Sequence, residues 1–256
     1  MFIKKLILSI IFFSVSGVSG DRCGSSDLSW TWLSNKALPH LPTRCTELYL
    51  TSTQLGDAGA IALATILPTS PQLHTLSLFD NGIGVLGIQA LAIGLKDSQV
   101  HVLTLWKNEI NNDGCIALSK ALFNHPTLTS LDLHDASITS IGAIEISKIL
   151  VYCKIAWLSL SMNPIGDVGV IHLAKALSSP TTRLVELHLS NCGMTDIGAQ
   201  ALATALRKQP LFALTTTTMY LSPISTPSSS SSTTTTSTSK APTSSSSPSS
   251  AFTASA

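Results

Sequence analysis

Between Leu48 and Leu206 the apolar positions of this chain follow two periods in turn. In Leu103-Thr104-Leu105-Trp106-Lys107-Asn108-Glu109-Ile110, two leucines alternate with a polar residue, then an asparagine and an isoleucine follow. The same frame starts at Leu48, Leu76, Leu131, Leu158 and Leu187, so the six anchors are separated by 28, 27, 28, 27 and 29 residues. Alternation over three residues predicts a short strand with both leucines inward and the residue between them outward. The turn position five past each anchor holds Thr53, Asn81, Asn108, Ala136, Asn163 and Cys192. Asn or Cys there can satisfy backbone groups of the neighbouring turn; Thr53 is a partial substitute, and Ala136 predicts a gap. Next comes a helical pattern. Gly59, Gly87, Gly114, Gly142, Gly169 and Gly198 share one position, and Leu or Ile follows four and eight residues on, as in Gly198, Leu202 and Leu206. That spacing puts them on one helix face. Alanines between them favour the helix, and Pro68, Pro71, Pro126, Pro180 and Pro210 help to stop it.

One strand and one helix per 27 to 29 residues is a stacked-repeat signature. The frame is that of the leucine-rich repeat, and its length and Gly-x-x-Ala-Leu-Ala-x-x-Leu style of helix resemble the ribonuclease-inhibitor type and the repeat regions of NOD-like receptors. The resemblance covers about residues 45 to 214. It implies an α/β solenoid, a curved horseshoe with parallel strands on the concave side and helices on the convex side. It also implies a chain like its mostly cytosolic members. The nucleotide-binding module of NOD-like receptors is absent, since the sequence has no Gly-x-x-x-x-Gly-Lys-Ser/Thr run.

The two ends do not follow the repeat. Residues 1–20 read as a secretory signal peptide: Lys4 and Lys5, an apolar run from Leu6 to Val15, then Val18-Ser19-Gly20 before Asp21. That run falls short of the ~20 residues that span a bilayer, and no other is longer, so no transmembrane segment is expected. Residues 21–47, with Trp30, Trp32, Leu33, Leu38 and Leu41, form no complete repeat and are expected to cap the first one. Residues 48–214 hold about six repeats, the last fading: Leu211 and Leu214 keep the frame, but Thr216 and Met219 break it. The weak C-terminal cap leaves a sheet edge through which chains could associate end to end. Residues 215–256 are a Ser/Thr/Pro tract with one charge, Lys240, expected to be a disordered tail, glycosylated or not.

Charged residues make up only 11% of the chain, against roughly 25% in an average domain, and the net charge is +1, which gives no footprint for nucleic acid. In a secreted chain Cys23 and Cys45, which flank the first repeat, are candidates for a disulfide at the cap. Cys115, Cys153 and Cys192 fall inside repeats, and no Cys-x-x-Cys or Cys/His spacing suggests a metal or cofactor.

For catalysis the only local clusters are His134 with Asp132 and Asp135, and His188 with Glu186; a solvated polar surface accounts for both. Glu145 and His172 replace alanine at one position in adjacent helices and could pair. The sheet face carries more information. Its outward columns place Phe79, Trp106 and His134 side by side, with Tyr49 on one flank and Trp157 on the other, and Asp80, Lys107 and Asp135 in the next column. Aromatics among small polar residues have the composition of a protein-binding hot spot. The expectation is a non-catalytic recognition module, secreted or at the cell surface, that holds a protein partner on the concave sheet face. The alternative is a cytosolic scaffold or regulatory protein like the NOD-like receptor repeats, with a retained N-terminus and reduced thiols.

Overall fold

The computed structural model describes residues 22–24 and 41–208 of the 256. The chain divides at residue 222, and the second unit, Pro223–Ala256, lies outside the described residues. So do the expected signal peptide, the Trp30 and Trp32 cap, the fading repeat at Leu214 and the tail.

Seven three-residue strands form one parallel sheet in sequence order: β1 Arg22–Gly24, β2 Glu47–Tyr49, β3 Thr75–Ser77, β4 Val102–Thr104, β5 Ser130–Asp132, β6 Trp157–Ser159 and β7 Glu186–His188. The six leucine anchors pair with one another without slippage, from Leu48↔Leu76 through to Leu158↔Leu187. Their complete or near-complete burial enforces this, since a one-residue slip would turn every leucine to solvent. β1 was not expected. Cys23 takes the anchor position beside Leu48, so the segment ahead of the first repeat begins with a strand. Cys23 and Cys45, the pair expected to bridge at the cap, are both buried, and Cys45 Sγ lies 3.8 Å from the Glu47 carbonyl. The strand register puts Cys23 level with Leu48, three residues past Cys45.

A helix follows each of β2 to β7: α1 Gly56–Ile66, α2 Val85–Lys96, α3 Asn111–Leu122, α4 Ser140–Leu150, α5 Gly166–Leu177 and α6 Asp196–Leu206. Helix and sheet close on a single core of Leu, Ile, Val, Ala and Cys side chains. The shared glycine of each helix is there for want of space. A Cβ on Gly87 would lie 2.7 Å from Ile83 Cγ2, and one on Gly114 or Gly142 would lie 2.6 Å from the Ile110 or Ile138 side chain. The isoleucine of the turn ahead of the helix can pack this closely on its first turn only without that atom.

The helices start in two alternating ways. In the repeats anchored at Leu48, Leu103 and Leu158 the helix opens on a left-handed residue, Gly56, Asn111 or Gly166, with φ of 59°, 58° and 59°. The N–H of that residue donates to the carbonyl of the next repeat's turn residue, Asn81, Ala136 or Cys192, at 2.9, 3.1 and 2.9 Å. The residue after it, Asp57, Asn112 or Asp167, reaches across to the following helix. Asp57 Oδ1 accepts from the N–H of Gly84 and Gly87 at 2.7 and 2.9 Å. Asn112 Oδ1 accepts from Thr139 and Gly142 at 3.0 and 2.9 Å. Asp167 Oδ1 accepts from Thr195 and Gly198 at 2.8 and 3.0 Å. The helices α2, α4 and α6 are thus capped by the preceding repeat, and their own N-cap residues, Gly84, Thr139 and Thr195, are extended.

The turn asparagines serve the repeat behind them. Asn108 Oδ1 accepts from Asn81 and Ile83 N–H at 3.2 and 3.0 Å, while its Nδ2 donates to the Leu78 and Leu105 carbonyls, both at 2.9 Å. Asn163 binds Ala136 and Ile138 N–H at 3.0 Å each, and Asn81 binds Thr53 N–H at 2.9 Å. The gap expected at Ala136 is present. Ile110 N–H, which an asparagine there would serve, donates within its own repeat to Asn108 O at 2.9 Å. The same closure, Ile165 N–H to Asn163 O at 2.8 Å, occurs opposite Cys192.

Candidate binding face

The column of Phe79, Trp106 and His134 is held by backbone. Beyond the strands, Asp80 N–H donates to Trp106 O, Lys107 N–H to His134 O and Asp135 N–H to Ser161 O, each at 3.0 Å. These bonds keep the three rings on neighbouring chain segments in register. Phe79 and Trp106 centroids lie 4.6 Å apart with rings tilted by 41°, and Trp106 and His134 lie 4.6 Å apart at 60°. These are the offset and edge-on arrangements that aromatic pairs favour. Trp106 remains 38% exposed, so the array has an open side.

The next column is left-handed throughout: Ser52, Asp80, Lys107, Asp135, Met162 and Asn191 have φ between 48° and 59°. Strands β2 to β7 all turn off the sheet at this point. Lys107 Nζ lies 3.2 Å from Asp80 Oδ1, and Ser52 Oγ donates to Asp80 Oδ2 at 2.9 Å. The Ser52 hydroxyl, then Lys107, holds the Asp80 carboxyl below its ordinary range. Asp135 is exposed in the same column.

The flanking aromatics belong to separate groups. Tyr49 is part of an N-terminal cluster in which Arg22 Nε meets Glu47 Oε2 at 2.7 Å, the guanidinium sits 5.7 Å from the Tyr49 ring centre, and the Tyr49 hydroxyl donates to Glu47 at 3.2 Å. Burial, then Glu47, pushes the Tyr49 phenol up. Trp157 packs on His188 of the next strand at 5.0 Å, and His188 Nε2 lies 3.5 Å from Glu186 Oε2. Arg22 joined the face unannounced, because β1, which pairs it with Glu47, has Cys23 in place of the anchor leucine. Among the described residues no group of three His, Cys, Asp or Glu side chains could hold a metal, and no helix is long and apolar enough to cross a membrane.

Asp132 Oδ1 accepts the His134 backbone N–H at 3.1 Å, and its carboxylate takes the Ser159 hydroxyl as well. Burial raises the Asp132 carboxyl above its ordinary value against these bonds. On the helix side, Glu145 and His172 do not pair. Glu145 holds Lys148 at 2.6 Å, and His172 Nδ1 donates to Val168 O at 3.0 Å.

With this geometry in place, the comparisons with known proteins agree with it. The Leucine Rich repeat family model matches residues 46–64, 69–92, 124–147, 158–174 and 182–203. The chain is a leucine-rich repeat protein of the ribonuclease-inhibitor type, with repeats resembling those of NOD-like receptors. It is 36% identical to the ribonuclease inhibitor of Mus musculus over 164 residues, which are 62% of this chain and 36% of that protein. It is 29% identical over 203 residues to NACHT, LRR and PYD domains-containing protein 5 of Mus musculus, covering 67% of this chain and 18% of that one. The chain thus spans about a third of the ribonuclease inhibitor and about a fifth of the NACHT protein. Among solved structures, a chain titled leiomodin-1 actin-binding site 2 aligns with a TM-score of 0.49 and 18% identity, over 57% of this chain and 86% of that one.

Proposed function

We propose that the chain is a non-catalytic recognition module that binds a protein partner on its sheet face, with Trp106 at the centre. The observation that carries this is the ring array Phe79–Trp106–His134, open to solvent and bordered by the Asp80–Lys107 pair. Tyr49, Asp135 and Trp157 extend the contact surface on its flanks. A large rigid ring beside fixed charges is the makeup of an interface anchor. The ribonuclease inhibitor, by its name, acts on another protein, and this reading carries that mode of action over to the present chain.

For the place of action, the relatives favour the cytosolic scaffold over secretion, since the repeat type is mostly cytosolic. N-terminal sequencing of the expressed full chain decides: an intact Met1 supports the cytosol, a start at Asp21 supports secretion.

The binding test is an affinity capture with the full chain, followed by titration of the captured partner. Trp106→Ala should weaken binding at least about 30-fold, the equivalent of roughly 2 kcal/mol for a desolvated anchor. Lys120→Ala, on the helix side, should leave it unchanged. Equal losses in the two variants, both folded by circular dichroism, would move the interface off the sheet.

A further inference from the structure

The helix side is less polar than a solvent face should be. Ten residues past the anchors stand Leu86, Ile141, Val168 and Ile197, with 65, 56, 55 and 63% of their surface exposed. Three residues further on, on the same face of each helix, are Ile61 and Ile171, 46 and 41% exposed, with Ile116 and Ile144 half-buried. Because the repeats stack in register, these positions line up from helix to helix as an aliphatic band, with exposed Gln89 and Gln200 at the second position in α2 and α6. One turn on, the same position carries Lys120, Lys148 and Lys175 in α3, α4 and α5, all exposed, and the fully apolar Ile93 in α2. Acidic groups are few on this face. Asp113 interrupts the band in α3, and Glu145 is held by Lys148 at 2.6 Å. Asp57 and Asp167, in the first turns, are engaged in the inter-repeat caps, and Asp196 opens α6.

We propose that this face docks the protein on an anionic lipid surface, the aliphatic band seating at the headgroup–acyl boundary and the lysine row meeting lipid phosphates. Contiguous exposed apolar surface marks an interaction site. Its composition selects the partner. Protein hot spots are rich in Trp, Tyr and Arg and poor in Leu, Val and Lys. The sheet face has the first composition and the helix face the second. Aliphatic residues beside a lysine row are what a peripheral membrane contact uses, and the lysines complement the negative potential of an anionic leaflet. The proposal is independent of the sheet-face reading.

The test is flotation of the full chain with phosphatidylcholine vesicles, with and without phosphatidylserine. Binding should require phosphatidylserine and fall as salt rises. Ile141→Glu, at a surface position that leaves the core intact, should lower partitioning about tenfold, the worth of one buried aliphatic side chain. Asp113→Leu, which closes the band, should raise it. The triple change Lys120→Gln, Lys148→Gln, Lys175→Gln should abolish the preference for phosphatidylserine, while Trp106→Ala changes nothing. Absence of vesicle binding, indifference to phosphatidylserine, or wild-type binding by Ile141→Glu or Asp113→Leu overturns the proposal. So does a dimer in sedimentation equilibrium that Ile141→Glu dissolves without any vesicle binding, which would give the face to a second copy of the chain.

Discussion

The repeats anchored at Leu48, Leu103 and Leu158 and those anchored at Leu76, Leu131 and Leu187 share a strand, a glycine and a core, and differ in how their helices begin. The first set opens on a left-handed residue whose N–H is tied to the next repeat, and it donates a capping side chain forward. The second set receives that cap and opens from extended backbone. An isolated repeat of the second kind would lose the acceptor that the preceding repeat gives to the N-cap and third N–H groups of its helix, though Thr195 Oγ1 still accepts Ile197 N–H in α6, and one of the first kind would present a carboxylate or amide with nothing to cap. The unit that satisfies its own polar groups is therefore the pair.

Three sets of substitutions probe that distinction, in decreasing order of effect. The core should not distinguish the two kinds of repeat: Leu103 and Leu131 are both fully buried, and either changed to Ala should cost roughly 2–5 kcal/mol in urea unfolding. Because each repeat leans only on its neighbours, Leu131→Ala should also speed hydrogen exchange well outside residues 128–138. A cost at one anchor less than half that at the other would carry the difference into the core. The cap should distinguish them sharply. Asn112→Ala removes the acceptor for Thr139 and Gly142 and should cost about 1–2 kcal/mol, whereas Ser140→Ala, at the same position one repeat on, should cost under about 0.5 kcal/mol. Equal losses would dissolve the pairing. The smallest effect is a gain: Ala136→Asn offers Ile110 N–H the amide that its counterparts Ile83 and Ile138 already have, worth about 0.5–1.5 kcal/mol. A lowered melting temperature would mean that the local Ile110–Asn108 closure suits that turn better.

The strands, the inward leucines and the gap at Ala136 were legible because each is a strictly local pattern that burial enforces. The in-register columns follow from the same anchors, so the sequence alone places Phe79, Trp106 and His134 side by side. Three things were not legible. The alternation of intervals, 28, 27, 28, 27 and 29, is printed in the sequence, but its chemistry joins residues 27 to 31 apart, as Asp57 to Gly84 and Asp167 to Gly198. The contact of Trp157 with His188 rather than with the central array depends on side-chain rotamers that spacing does not fix. The aliphatic band on the helices was hidden because Ile141 or Ile197 in a helix rich in Ile, Leu and Ala reads as more core, and only the packed structure shows which side of each helix faces out.

The forward-reaching cap also sets how such a chain can change length. From Leu48 to Leu103 and from Leu103 to Leu158 the pair spans 55 residues, and from Leu131 to Leu187 it spans 56. Duplicating or excising one whole pair puts a donor of caps before every receiver and leaves each inter-repeat bond intact. Excising a single repeat sets two donors or two receivers in succession, strands a helix start, and breaks the sequence of left-handed and extended entries. Gain or loss of a whole pair by gene duplication or deletion is therefore the change this architecture accommodates, and a relative with one repeat more or fewer should carry, at the junction, a helix that supplies its own cap.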